Sequence, residues 1–524
     1  MTIATPPYRF PLCLRRACGI LLFVVHLCAG AAATTVAPAP LPQLPWLAQG
    51  DAQARLALRL LADASAHGLD PARYGAGALQ HRLDTLQDAD AAAFERELTG
   101  AMLQYLAEVH AGRIPSAYRP AGADRFDPLA HLARAVREHG LAQAVEAAAP
   151  AIPLYRRVKA TLADYRELAS VYPQWPALPP LPGARIGAGS RYDGAALLRE
   201  RLQLLGDLDA DADVAAGTDQ VYSAQLAAAV ARFQARHGLA PDGVLGAATF
   251  AALAVPPASR VAQLELTLER LRWLPPLPPG RVVAVNLPAY RLWAFDGAAD
   301  PATPVLEMRV IVGTALRTPT PLFIGQMRYL EINPYWNVPR SIELGEIIPK
   351  LARNPAYLRD NDMELVAPSG AVVAETSADA LAALRAGKLR VRQRPGPRNA
   401  LGALKFALPN AMNIYLHSTP AQELFERTRR DLSHGCIRVE FPAELAQFVL
   451  ADPQHWRSAD VQAAIDGGRT RTLTLPAPVP VILFYATAVT DRDGRALFAE
   501  DIYRLDAPLI ERLRASAGQA VPGP

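Results

Sequence analysis

The residue of this sequence best suited to covalent chemistry is Cys436, which has His417 nineteen residues before it and His434 two residues before it. A cysteine attacks a carbonyl as its thiolate, and a nearby histidine takes the thiol proton or stabilises the charged sulfur. Spacing alone leaves either histidine as the candidate base. The other cysteines all precede residue 34: Cys13, Cys18 and Cys28. A disulfide within the chain after that point is therefore excluded.

The elements around these residues predict how they are positioned. Apolar residues from Ala411 to Leu416 predict a strand that ends at His417. The end of a strand is rigid and would hold the imidazole in a fixed orientation. A helical connection from Glu423 to Arg430 is long enough to return the chain to an adjacent position. Gly435 allows close approach of a substrate to the backbone, and the amides of Gly435 and Cys436 are candidate donors to an oxyanion.

The whole chain of 524 residues is long enough for about two to four domains. Helical periodicity predicts one domain over residues 51–172, and a compact helical block follows over residues 192–255. Period-two patterning then predicts a β-rich domain over residues 281–505. This domain is interrupted at residues 343–389 by a segment that is rich in turns and partly helical. The other predicted strands are 281–287, 290–295, 308–312, 326–332 and 479–488.

The first 33 residues resemble an export signal. Arg9, Arg15 and Arg16 precede an uncharged run, Ala17 to Ala33, that ends in three alanines. This order predicts a secretory signal peptide, and the alternative is an uncleaved membrane anchor. Both interpretations place the rest of the protein outside the cytoplasm, in the periplasm. A proline-rich linker is predicted at residues 34–50.

Composition and missing motifs exclude several kinds of function. The formal net charge is only +4, which gives no reason to expect nucleic-acid binding. No Ser-x-x-Lys, His-Glu-x-x-His or phosphate-binding glycine loop occurs in the sequence. We therefore predict no metal and no cofactor, and membrane contact only through an uncleaved N-terminal segment.

The block at residues 192–255 contains Phe233-Gln234, then His237-Gly238-Leu239, then Asp242-Gly243, and Thr249. This pattern resembles the three-helix peptidoglycan-binding domain of many cell-wall enzymes. It implies glycan strands as a partner, although whether this copy binds them stays open. His237 has no second ligand at metal-binding spacing, so we expect it to pack or to cap a helix.

The segments around Cys436 resemble the catalytic domain of the L,D-transpeptidases (the YkuD-type family), in which a histidine precedes a Ser/Thr-His-Gly-Cys loop. The resemblance implies that Cys436 is the nucleophile and His417 the base, and that Ser433, His434 and Gly435 shape the oxyanion region. Segments 333–339, 392–399 and 405–410 match the long periplasmic subfamily. Four further residues are candidates for substrate binding: Arg438, Ser418, Tyr415 and Trp336.

The resemblance implies a multidomain α+β protein with a helical scaffold domain, a small peptidoglycan-binding-like domain and a β-rich catalytic domain. Residues 343–389 would be a capping insertion that covers the acyl-enzyme. The implied reaction joins two peptidoglycan stem peptides by a 3→3 cross-link, with loss of a terminal D-alanine. Other acceptors remain open, either water in an L,D-carboxypeptidase or a protein to be attached to the wall. A non-catalytic wall-binding scaffold is the remaining alternative, and other cell-wall enzymes are candidate partners.

Overall fold

The computed structural model describes residues 42–516, apart from 117, 120–124, 210–219, 277–278, 298–303 and 374–376. The predicted signal segment, 1–33, and residues 34–41 of the predicted linker lie outside this range. Among the described helices, none combines the length and the apolar character needed to cross a membrane. The predicted multidomain α+β fold is confirmed, with helical regions first and a β-rich region after them.

The first region is a bundle of helices, and the first five of them surround one apolar core. Phe94, Leu98 and Met102 lie on one face of the longest helix and are completely buried in that core. Asp127 begins a later helix by accepting hydrogen bonds from the first free amides. The helices are α1 Ala52–Ala62, α2 Ala76–Asp84, α3 Ala91–Ala111, α4 Pro128–Arg137, α5 Leu141–Ala148 and α6 Pro153–Val171.

Residues 42–50, which the sequence assigned to the linker, are part of this helical core. The indole of Trp46 is 1% exposed, and its N–H donates to the hydroxyl of Thr99 at 2.9 Å. Leu44 is buried in the same cluster. The prolines before Trp46 suggested an extended tether, but burying an indole stabilises the packed arrangement by roughly 2–3 kcal/mol.

The second region, residues 185–254, is the small helical block. Ser223 caps its central helix, and Gly238 follows that helix with a φ of +66°. His237 stacks on Phe233 with ring centroids 3.7 Å apart, so it packs as expected. The elements are β1 Arg185–Ile186, β2 Ser190–Arg191, α7 Ala195–Leu204, β3 Val221–Tyr222, α8 Ala224–Arg236, β4 Leu245–Gly246 and α9 Ala247–Ala254.

A helix that the sequence analysis left unassigned, α10 at Pro257–Arg272, connects the helical regions to the β-rich region. Its Glu269 accepts hydrogen bonds from the amides of Arg113 and Ile114 in the first region. On the other side, Arg270 forms an ion pair of 2.6 Å with Asp506. Buried charges are costly unless they are paired, so these contacts fix how the regions meet.

Nine of the described strands form the sheet of the β-rich region, in the order β15-β7-β16-β14-β13-β8-β17-β5-β6. Alternating residues of these strands fill the largest apolar core. Helices α15 Pro442–Leu450 and α16 Ser458–Asp466 pack on that core, and α17 Asp506–Ala515 ends the described chain. The strands of the region are β5 Arg281–Asn286, β6 Arg291–Asp296, β7 Leu306–Gly313, β8 Phe323–Ile332, β13 Leu404–Ala407, β14 Leu416–His417, β15 Asp431–Ser433, β16 Ile437–Val439, β17 Arg471–Phe484, β18 Ala488–Thr490 and β19 Ala496–Phe498.

Two predicted elements near the candidate site are shorter than expected. The strand predicted at 411–416 is reduced to Leu416–His417, because the side chain of Asn410 accepts from the amides of Met412 and Ile414 and holds a turn. The helix predicted over 423–430 is a single 3₁₀ turn, Gln422–Glu426. The chain is already extended at Arg430, whose carbonyl accepts from the amide of Val312 at 3.0 Å.

The predicted insertion folds as a separate lobe, here called the capping lobe, that spans residues 336–393 and is therefore wider than the predicted 343–389. It has its own core and a sheet in the order β11-β10-β12-β9. Its elements are β9 Trp336–Asn337, α11 Arg340–Ile342, a π-helical turn Glu343–Ile347, α12 Ile348–Arg353, α13 Tyr357–Asp360, β10 Met363–Val366, β11 Val372–Val373, α14 Ala378–Arg385 and β12 Arg390–Gln393.

A buried carboxylate holds the capping lobe together. Glu343 is 0% exposed and accepts from the amide of Val391 at 2.8 Å. It also forms ion pairs with Arg340 at 3.1 Å and Arg390 at 3.0 Å. The carboxylate thus joins the π-helical turn to the last strand of the lobe.

Replacing Glu343 with alanine is expected to lower the free energy of local opening of the capping lobe by about 2 kcal/mol, because two arginines and an amide lose their acceptor. Hydrogen exchange at the amides of β10 and β12 measures this change. The control is Asp360→Ala, which removes an exposed pair with Arg359 and should cost less than about 1 kcal/mol. Equal exchange rates in the two variants would contradict the role of Glu343.

Candidate active site

The pairing of β14 with β16 positions the candidate catalytic residues. The two strands are parallel, with Leu416 opposite Ile437 and His417 opposite Arg438. Leu416 and Ile437 point into the apolar core, so the residues next to them in sequence point to the opposite face. That face carries four of the residues that the sequence singled out: Tyr415, His417, Cys436 and Arg438.

His417 is held as a neutral ring with a defined tautomer. Its Nδ1 lies 2.6 Å from the carbonyl oxygen of Ser418, which can only accept, so Nδ1 carries the proton and Nε2 has the free lone pair. Burial and, to a lesser extent, the neighbouring charge of Arg438 together lower the pKa of His417 to about 3. The ring is therefore available as a base at neutral pH.

The hydroxyl of Ser418, a predicted substrate-binding group, is occupied inside the protein. It accepts from the amide of Leu404 at 2.9 Å and donates to the carbonyl of Leu401 at 3.0 Å. Ser418 is 4% exposed, so its side chain does not reach a substrate. Ser418 instead fixes the strand end on which His417 lies.

Cys436 is a thiol at rest. Its Sγ lies 3.5 Å from the carbonyl oxygen of Asn413, to which the S–H donates. Burial raises the pKa of the Cys436 thiol, while hydrogen bonds from Tyr415 and the charges of Lys405 and Arg438 oppose that rise. A neutral thiol beside a neutral imidazole fits general-base catalysis better than a preformed thiolate–imidazolium pair.

Tyr415 and Trp336 are neighbours of the candidate nucleophile. A hydrogen bond from Tyr415 opposes the burial-driven rise in the pKa of the Cys436 thiol. Burial raises the pKa of Tyr415, and the side chain of Trp336 opposes that rise. Trp336 lies on β9, so the capping lobe comes close to this face of the sheet. Sequence alone had assigned both residues to substrate binding.

The amide of Gly435 is not free for an oxyanion, contrary to the prediction. The hydroxyl of Ser433 accepts from the Gly435 amide at 3.1 Å and donates to the carbonyl of Cys436 at 2.5 Å. Within the described residues, the amide of Cys436 has no acceptor. The Cys436 amide is therefore the backbone donor available to an oxyanion, and Ser433 shapes the loop by closing a small turn.

A second loop, residues 313–320, supports the Cys436 loop and was missed in the sequence analysis. Thr314 and Thr318 both donate to the carbonyl of Ser433, and Thr320 donates to the carbonyl of Gly435 at 2.8 Å. Gly435 has a φ of +113°, and a Cβ on Gly313 would lie 2.0 Å from the carbonyl oxygen of Thr318. The threonine–proline run at 318–321 was the one available signal for such a rigid loop.

Arg438 has a cationic side chain without a counterion. Its Nε is buried and unbonded, and no carboxylate in the described part of the chain pairs with it. By contrast Lys405, across the sheet from His417, pairs with Glu331 at 3.2 Å. An unpaired guanidinium beside a nucleophile is suited to a carboxylate of the substrate.

His434, the rival base, contacts the capping lobe. Its Nε2 is 2.5 Å from Oε1 of Glu346 in the capping lobe, and its side chain is 50% exposed. His417, in contrast, is 5% exposed and shares its face of the sheet with Cys436. The geometry therefore favours His417 as the base for Cys436.

The rate at which iodoacetamide alkylates Cys436 is expected to rise with pH without a plateau below about pH 8.5, because burial keeps the thiol protonated. No step should occur near pH 6.5, because the pKa of His417 is about 3 and the ring stays neutral above it. The measurement is the mass of the alkylated protein over time at each pH. A plateau beginning near pH 6 would show a resting thiolate and contradict this account.

Replacing Tyr415 with phenylalanine is expected to move this alkylation profile up by about one pH unit, because the thiolate loses a donated hydrogen bond. The control is Tyr172→Phe, which removes a distant, exposed hydroxyl that donates to Glu200 at 3.2 Å. A profile that moves down, or equally in both variants, would show that Tyr415 does not stabilise the sulfur anion.

Three family models match this chain. Residues 42–162 match the scaffold domain, residues 191–253 match the model described as "Putative peptidoglycan binding domain", and residues 280–480 match the L,D-transpeptidase catalytic domain, YkuD. The chain is also 34% identical over 245 residues to a protein of Haemophilus influenzae named "Putative L,D-transpeptidase". That match covers 47% of this chain and 48% of the relative, so the chain spans about half the length of the curated relative it matches.

Two crystal structures of similar proteins have low sequence identity to this chain. An L,D-transpeptidase from Xylanimonas cellulosilytica is 16% identical with a TM-score of 0.17, over 58% of this chain and 100% of that chain. An L,D-transpeptidase from Stackebrandtia nassauensis is 14% identical with a TM-score of 0.23, over 58% and 97% respectively. By these sequence matches, residues 280–480 are similar to the L,D-transpeptidase (YkuD) catalytic domain, residues 42–162 to a scaffold domain and residues 191–253 to a putative peptidoglycan binding domain.

Proposed function

We propose that this protein is an exported L,D-transpeptidase that forms 3→3 cross-links in peptidoglycan through an acyl-enzyme on Cys436. The observation that carries the proposal is the register of β14 and β16, which puts His417 and Cys436 on one face of the sheet. The catalytic-domain match over residues 280–480 supports the reaction class. Peptidoglycan stem peptides are the substrates, and the helical block at 192–255 is the candidate contact with glycan strands.

In the first half-reaction, Cys436 attacks the carbonyl of the third residue of a tetrapeptide stem. The S–H turns from the Asn413 carbonyl toward His417, which takes its proton on Nε2 as the C–S bond forms. The amide of Cys436 donates to the oxyanion. The C–N bond to the terminal D-alanine then breaks, and the leaving nitrogen receives the proton from His417.

Arg438 and Tyr415 support this step. The unpaired guanidinium of Arg438 holds a carboxylate of the donor stem, which aligns the scissile carbonyl with the sulfur. The hydroxyl of Tyr415 stabilises negative charge on sulfur while the thiol loses its proton. In the second half-reaction, the side-chain amine of another stem attacks the thioester and releases the thiolate.

Incubation with a tetrapeptide stem, or with a carbapenem as a strained acyl donor, is expected to add one acyl group to the parent protein and none to Cys436→Ala. His417→Gln should slow acylation by roughly 10²–10⁴-fold, the usual contribution of a general base. His455→Gln, which changes an exposed histidine paired with Asp452, is the matched control and should keep the parent rate. Intact-protein mass spectrometry measures the adduct.

Mass spectrometry of the peptide products identifies the acceptor of the acyl group. A cross-linked stem dimer with released D-alanine is the expected product. Tripeptide and D-alanine without any dimer would contradict cross-linking and indicate a carboxypeptidase instead. An absence of any adduct on the folded parent protein would contradict the acyl-enzyme and favour a wall-binding scaffold.

A further inference from the structure

The contact between His434 and Glu346 has no part in the acylation step derived above. It joins the catalytic loop to the π-helical turn of the capping lobe, with Nε2 and Oε1 2.5 Å apart. Both side chains stay accessible, at 50% exposure for His434 and 40% for Glu346. His434 is two residues from Cys436 in the loop, so the pair lies at the edge of the site and is open to solvent.

This contact leaves one nitrogen of His434 able to accept a proton. The carboxylate of Glu346 accepts the Nε2 proton, so Nδ1 carries the lone pair. Nδ1 has no hydrogen-bond partner in the part of the chain that the structure describes. A carboxylate that orients an imidazole, with the opposite nitrogen free, is the arrangement of a general base.

The charges around Cys436 also favour the binding of a cation near His434 and Glu346. Among the described residues Arg438 has no counterion and would repel an approaching ammonium, whereas the charge of Lys405 is largely offset by its ion pair with Glu331. Glu346 is a partly exposed carboxylate at the catalytic loop, with Lys350 farther away at 3.6 Å. An ammonium is thus attracted to the capping-lobe side of the loop.

We propose that His434 and Glu346 form the binding and deprotonation site for the primary ammonium of the acceptor stem, a proposal that rests on the function proposed above. The carboxylate attracts the ammonium, and Nδ1 of His434 takes one of its protons. The neutral amine then attacks the thioester carbonyl, so that a C–N bond forms and the C–S bond breaks. The sulfur takes the electron pair and then the second amine proton, and His434 releases its proton to solvent.

This assignment gives each half-reaction its own histidine. His417 transfers protons for the donor stem on the buried face of the site, and His434 transfers protons for the acceptor stem on the exposed side. Because Glu346 belongs to the capping lobe, the acceptor site is complete only when the lobe contacts the loop. In this scheme the charge of Glu346 attracts the ammonium, and its hydrogen bond with His434 orients the imidazole for proton transfer.

The test measures the two half-reactions separately in the full chain. Acylation is followed by intact mass with a tetrapeptide donor, and aminolysis by dimer formation after adding a tripeptide stem with a free diamino-acid amine. Glu346→Gln, which keeps a hydrogen-bond acceptor but loses the charge, should slow aminolysis about 10-fold, and His434→Gln about 100-fold. Acylation should change by less than about twofold in Glu346→Gln. Asp360→Asn, another exposed carboxylate of the capping lobe, is the matched control.

A second acceptor distinguishes proton transfer from a structural effect. Hydroxylamine is neutral at the assay pH and needs no base, so both variants should react with it at nearly the parent rate. Equal slowing of acylation and aminolysis, unchanged aminolysis by the tripeptide, or equal slowing with hydroxylamine would each overturn the proposal. Failure of the parent protein to form any acyl-enzyme would instead reject the proposed function, so the two failures are distinguishable.

Discussion

The two-residue parallel pairing of Leu416–His417 with Ile437–Arg438 is the constraint on which the site depends. Burial of Leu416 and Ile437 in the core sets the register, and the strand period of two then directs the intervening polar side chains to the opposite face. A slip of one residue would place His417 in the core and a leucine beside the sulfur. The apolar core therefore determines the geometry of the candidate site as much as the candidate residues themselves do.

Two supports act on this pairing from outside the sheet. The loop at 313–320 holds the carbonyls on either side of His434, which leaves the amide of Cys436 directed toward the substrate. The capping lobe reaches the same loop through the contact of Glu346 with His434. Both supports consist of hydrogen bonds between segments far apart in sequence, so the site is assembled only after the β-rich region and the lobe have folded.

This long-range assembly explains what the sequence could and could not predict. Period-two patterning predicted the strands near residues 281–295 and 308–332, because burial of alternate residues is a local signal. The strand at 411–416 was predicted too long because the side chain of Asn410 competes for the backbone. The Gly435 amide was assigned to the oxyanion because nothing in the sequence reports the rotamer of Ser433. The contact between His434 and Glu346 could not be predicted either, because 88 residues separate them in sequence.

The protonated resting state of Cys436 also affects its chemical durability. Peroxides and disulfides react with the thiolate and not with the thiol, so burial that raises the pKa of Cys436 protects the sulfur from both. This protection matters because no other cysteine follows residue 33, and an oxidised Cys436 has no neighbouring thiol to reduce it. The same rise in pKa leaves only a small fraction of Cys436 as thiolate at rest, so the sulfur depends on a base to become reactive.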